Sequence, residues 1–177
     1  EPLSGVGFDT WGVDCGMIDR EGNLLGMPGS YRDAALDEEN MNDVLASLVP
    51  EEQDRDKAVK AGEKYAFEQT GIASLAYNTL YKLCYLNKAM PEQMAAADKL
   101  LFMPNLIEYL FSGVVHSEYS IASTSQLLDM KEKKWASELI RKAGIDPKLL
   151  APLDYAGKDL GPLRPEIAKE VGQENLH

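Results

Sequence analysis

The chain has 177 residues, 45% of them hydrophobic, which excludes wholesale disorder and sets the expectation of one domain or slightly more. Its net charge of −11 and pI near 4.6 argue against nucleic acid or an anionic membrane as partner, because both reward clustered Lys and Arg. No stretch approaches the roughly 20 apolar residues of a membrane span, and Cys15 and Cys84 read as buried, reduced thiols of a cytoplasmic protein.

In chain order, Val6 to Asp9 reads as a short buried strand and Val13 to Ile18 as a second. Asp19-Arg-Glu-Gly22-Asn23 is a hairpin loop of turn-forming residues, after which Leu24 to Met27 returns as a third strand ended by Pro28-Gly29. Met41, Val44, Leu45 and Leu48 fall at helical spacing, and Pro50 stops that helix. Glu51 to Gln69 predicts a second helix, charged at its start where acids suit the dipole, with Gly71 as its stop. Tyr77, Leu80, Tyr81 and Cys84 share one face of a third helix, ended by Met90-Pro91, and Glu92 to Asp98 gives a short following turn. Pro104 suits a first helical turn, with Ile107, Leu110 and Phe111 as apolar stripe and Gly113 as the close. Ser123-Thr-Ser-Gln126 reads as a helix start, Trp135, Leu139 and Ile140 mark a helix ended by Gly144 and Pro147, and Pro165 to Val171 is the last, closed by Gly172. One hairpin followed by many helices is the expected organisation, and the ends at Glu1 and Gln173–His177 suggest a piece of a longer enzyme.

Familiar catalytic motifs are not intact. Gly5-x-Gly7 lacks the third glycine of a dinucleotide loop, and there is no Walker loop, no His-Glu-x-x-His and no Cys-x-x-Cys. His116 and His177 read as structural or solvated, so a Ser-His-Asp hydrolase is a poor fit. The informative stretch is Asp9-Thr-Trp-Gly-Val-Asp14, where a carboxylate, a hydroxyl, an indole and a glycine gather as the chain leaves a strand. On spacing alone, Asp9 as a turn cap with Asp14 as an exposed strand residue is as good a reading as ligand binding. Trp11 exposes apolar surface unless a sugar face or a neighbouring helix stacks on it, and Gly12 allows close approach of a ligand to the backbone. Tyr31-Arg-Asp33 and Tyr77-Asn-Thr79 are further polar–aromatic clusters, each before a helix.

Taken in order, Asp9-Thr-Trp-Gly-Val-Asp14, Gly22-Asn-Leu-Leu-Gly26, Tyr31-Arg-Asp33, Thr70-Gly-Ile72, Tyr77-Asn-Thr-Leu-Tyr81, Leu101-Phe-Met-Pro-Asn105, Ser117-Glu-Tyr-Ser-Ile-Ala-Ser-Thr-Ser-Gln-Leu-Leu-Asp129 and Leu160-Gly-Pro-Leu163 resemble the FGGY carbohydrate kinases over nearly the whole chain. The resemblance implies an α/β fold: part of a ribonuclease-H-like domain of the actin and hexokinase type, with a short N-terminal β-hairpin followed mainly by helices. It implies phosphorylation of a ketose, L-rhamnulose, at its terminal hydroxyl, with ATP and Mg²⁺ used by the full-length enzyme and a small-molecule sugar as partner. It makes residues 1–177 the sugar-binding part of the N-terminal domain, with Asp9, Thr10, Trp11, Gly12, Tyr31, Tyr77 and Asn78 as substrate-binding positions. It assigns these residues no catalytic group, since the phosphate-loop hairpin would precede Glu1 and the general-base Asp would follow His177. A sister kinase for fuculose or xylulose, a non-catalytic binding module and a helical interaction domain remain the alternatives.

Overall fold

The structure is a computed structural model that describes residues 3–173 and 176–177. The expectations placed on Glu1 and on Glu174-Asn175 lie outside the described residues.

The core begins at strand β1 (Cys15–Ile18), whose four residues are all buried. Helix α1 (Glu38–Ser47) is capped by Asp37, which accepts from the Asn40 amide, and helix α2 (Arg55–Thr70) by Asp54, which accepts from the Lys57 amide. Gly71 ends α2 in the left-handed region at φ 73°, as a C-terminal glycine does. The two helices pack closely at Gly62, where a Cβ would run into the backbone carbonyl of Leu45. Asn40 on α1 donates from Nδ2 to the Tyr81 carbonyl at 3.3 Å, tying α1 to helix α3 (Thr79–Ala89). The short helix α4 (Pro91–Ala96) leads into strand β2 (Lys99–Phe102), which pairs antiparallel with β1 so that Cys15 faces Phe102 and Ile18 faces Lys99. Helix α5 (Met103–Ser112) follows with no intervening turn.

Beyond α5 the elements are short. Strand β3 (Ser117–Glu118) pairs in parallel with β6 (Leu153–Asp154), and β4 (Leu128–Asp129) pairs antiparallel with β5 (Lys134–Trp135). Helix α6 (Tyr119–Ala122) lies between β3 and β4, α7 (Ser137–Lys142) follows β5, and α8 (Pro165–Val171) follows β6. The main core joins Cys15 and Met17 of β1 to Leu80, Tyr81 and Leu83 of α3, Phe102 of β2, and Leu139 and Ile140 of α7.

Several expectations are corrected. Val6 to Asp9 is neither buried nor a strand: Val6 is 43% exposed, and its amide reaches the His177 carbonyl at 2.6 Å. The pairing edge of β1 is taken by β2, and among the described residues segment 3–9 joins no strand. The Ile18–Leu24 bridge, with the Leu25 amide donating to Met17 O at 2.8 Å, is what remains of the third strand. β1 starts at Cys15 because Val13 turns the chain at φ 65°. β2 has no counterpart among the predicted elements. Tyr77 precedes α3 and is 41% exposed, so it does not share the buried face of Leu80, Tyr81 and Cys84. The buried stripe of α5 runs through Leu106 and Tyr109, while Leu110 is exposed. Trp135 belongs to β5, and Ser123–Gln126 follows α6 as a turn instead of opening a helix.

Candidate functional site

The Thr10–Asp14 bend is fixed from its buried half. A β-branched residue in the left-handed region is strained, and Val13 is held there from both sides: its amide donates to Thr124 Oγ1 at 2.9 Å and its carbonyl accepts from Thr79 Oγ1 at 2.8 Å. Gly12 fits for a related reason, since a Cβ there would lie 2.7 Å from Thr124 Cγ2. Gly12 was expected to admit a ligand to the backbone; on its Cβ side the space is filled by Thr124.

Asp14 is not an exposed strand residue but the centre of the bend. Its carboxylate accepts the Trp11 indole N–H on Oδ2 at 2.7 Å and the Lys82 ammonium on Oδ1 at 2.6 Å. The Asp14 and Lys82 side chains are 4% and 5% exposed, so this is a buried, charge-assisted pair. Lys82 also donates to the Gly29 carbonyl at 2.5 Å. Neighbouring Cys15 is buried, and burial pushes its thiol up to about 11, against a smaller downward pull from Lys82. Burial likewise pushes Cys84 up to about 12, and both cysteines are free thiols, as expected.

With its indole N–H engaged inside, Trp11 is still 54% exposed. Thr10 donates from Oγ1 to the Trp11 carbonyl at 3.0 Å. Tyr31 and Tyr77 meet edge-on, with ring centroids 6.0 Å apart, and Arg32 Nε donates to the Tyr31 hydroxyl at 2.9 Å. Asn78, expected to bond a ligand, is buried and committed: it accepts the Leu75 amide on Oδ1 at 2.6 Å and donates to the Thr124 carbonyl at 2.9 Å. It therefore orients the Tyr77 segment. Asp9 is exposed and lies apart from these groups, on the wall of a cavity of about 630 Å³ that segment 4–9 shares with α5 and residues 156–161. Neither that cavity nor a smaller one of about 150 Å³ beside Lys82 includes Trp11, Tyr31 or Tyr77. These aromatics form open surface.

Exposed aromatic faces with hydroxyl and guanidinium groups nearby suit a ligand that has both C–H faces and hydroxyls. His116, as anticipated, is structural: it is buried, with Nε2 2.9 Å from Glu108 Oε2. Sequence reading missed Asp14, Lys82 and Thr124 as the frame of the bend. The available signal was a lysine inside the apolar run Leu80-Tyr81-Lys82-Leu83-Cys84.

Residues 51–176 match the N-terminal domain of the FGGY family of carbohydrate kinases. The chain is 31% identical over 172 residues to a rhamnulokinase of Bacteroides thetaiotaomicron, covering 97% of the chain and 33% of that protein. It is 33% identical over 156 residues to a rhamnulokinase of Pectobacterium atrosepticum, covering 88% of the chain and 29% of that protein. The chain thus spans about a third of the length of the curated relatives it matches. In fold it is similar to a xylulose kinase from Lactobacillus acidophilus (TM-score 0.80, 16% identity, 99% of the chain and 33% of that structure). It is likewise similar to a glycerol kinase from Plasmodium falciparum (TM-score 0.76, 13% identity, 98% of the chain and 33% of that structure).

Proposed function

The chain belongs to the FGGY family of carbohydrate kinases, and from that premise we propose that residues 1–177 are the sugar-binding part of the N-terminal domain of an ATP-dependent ketose kinase. The substrate we propose is L-rhamnulose, phosphorylated at its terminal hydroxyl to L-rhamnulose 1-phosphate. The observation that carries this reading is Trp11, anchored through its indole N–H to buried Asp14 while the residue remains exposed to solvent. An indole fixed in this way stacks on the C–H face of a sugar without first losing its own conformational freedom. Tyr77 and Tyr31 add a second apolar face, Thr10 supplies a hydroxyl-bonding group, and Gly12 and Asn78 hold the geometry from beneath.

ATP and Mg²⁺ belong to the full-length enzyme in this reading. We place neither the metal nor the nucleotide phosphates on this chain. The task of these residues is to bind and orient the ketose and to shield one of its faces from water. The carboxylate that accepts the proton of the attacking hydroxyl lies, in this proposal, outside residues 1–177. Two free, buried cysteines suit a reducing cytoplasm.

The test is Trp11→Ala in the full-length protein. The KM for L-rhamnulose is expected to rise about tenfold, the size of a lost aromatic stacking contact, with the KM for ATP unchanged. Equal losses for sugar and nucleotide would overturn the role, and preference for another ketose in a substrate panel would overturn the substrate.

A further inference from the structure

Lysine is almost never fully buried unless paired, and Lys82 is buried in the first turn of α3. Its ammonium has three donors, two of which are directed at partners from distant parts of the chain. One reaches Asp14 Oδ1 at 2.6 Å, and the other Asp14 oxygen carries the Trp11 indole at 2.7 Å. The second reaches the carbonyl of Gly29 at 2.5 Å, two residues before Tyr31. Lys82 itself lies in the helix that begins two residues after Tyr77. The three segments that present Trp11, Tyr31 and Tyr77 are therefore joined at one cation. A neutral side chain could reach one of these partners, but it would leave Asp14 as an uncompensated buried charge.

We propose that Lys82 is a positioning residue for the sugar site: through Asp14 it fixes the plane of the Trp11 indole, and through Gly29 it fixes the approach of the Tyr31 segment, so that the aromatic groups keep one spacing. This rests on the sugar-site reading of that surface, and the test separates the two. Lys82 makes no contact with the ketose in this scheme. Its effect is transmitted by a hydrogen bond that can be observed without substrate.

The 177-residue chain has two indole N–H groups, from Trp11 and from Trp135, the latter donating to the Ala151 carbonyl at 3.0 Å. In Lys82→Met the Trp11 indole resonance is expected to shift and to exchange with water about tenfold faster, while that of Trp135 stays in place. Removing one partner of a buried pair can unfold a protein, so Asp14→Asn is measured in parallel. It keeps the volume, and it is expected to release the Trp11 N–H with the Trp135 resonance retained. A Trp11 resonance that ignores both substitutions overturns the clamp.

In the full-length protein Lys82→Met is expected to raise the KM for the ketose about tenfold with little change in kcat, and to add less than about twofold in a Trp11→Ala background, the non-additivity of residues acting through one another. Full additivity of the two substitutions would overturn the positioning role. An indole that responds while the ketose KM does not would instead overturn the sugar-site assignment.

Discussion

Residues 3–9 and 12–18 are neighbours in the chain and comparably apolar, yet they meet opposite fates. In the second segment, β1 is buried along its whole length, pairs with β2 in a four-residue register, and anchors the bend at Asp14. In the first, Leu3 and Val6 are exposed at 63% and 43%, and the Val6–His177 hydrogen bond is the backbone tie of the stretch among the described residues. The difference lies in what each segment finds to pair with, because strand propensity expresses packing against neighbours more than an intrinsic backbone preference. The Trp11 surface stands at the junction: one half is built by the buried segment, while Asp9 belongs to the exposed one.

The largest expected contrast is in hydrogen exchange. Amides of β1 and β2 should be protected at least about a thousandfold more than those of residues 4–9, since core strands open near the global limit and untied segments open almost freely. Comparable protection in the two segments would break the comparison. A second probe is truncation of side chains. Phe102→Ala, at a fully buried position opposite Cys15, should lower urea-denaturation stability by about 3–5 kcal/mol. Val6→Ala should stay within about 0.5 kcal/mol, as surface changes usually do.

A further probe is a pH dependence peculiar to the buried region. Burial holds Cys15 near 11 and Cys84 near 12 against an ordinary 9.0, so both thiols stay neutral in the fold while the unfolded chain ionises. Their contribution is fully present below pH 9.0 and is lost as pH rises through the folded values. Unfolding free energies from urea titrations between pH 8 and 11 should fall with a slope approaching about 1.4 kcal/mol per pH unit for each thiol. Cys15→Ala should remove its share, and a slope that survives replacement of both cysteines would assign the effect elsewhere.

The legible parts of the fold were those whose signals are local. α8 falls on Pro165–Val171 as read, and Gly71, Gly113 and Gly172 end their helices as read. The fold class agrees with the structural relatives, through an ordered set of short motifs and not through periodicity. β2 escaped because Leu100-Leu101-Phe102 abuts α5 directly, and a short apolar run beside a helix has no period of its own. Segment 6–9 was misread because the availability of a pairing edge is a property of the tertiary structure. At the candidate site, Trp11 and Gly12 were singled out by residue type. The exchange of roles between Asp9 and Asp14, and the commitment of Asn78 to backbone, depend on side-chain directions that spacing does not encode.

Gly62 has a bearing on the bend although it contributes no atom to it. With only a hydrogen at that position, α2 lets α1 settle against it, and α1 in turn grips the Tyr81 carbonyl one residue before Lys82. A methyl group at position 62 would act as a wedge with α1 as its lever arm. The displacement would arrive at the helix that carries the ammonium, so the tolerances of the Trp11 bend are set partly by a joint between two helices remote from it in sequence.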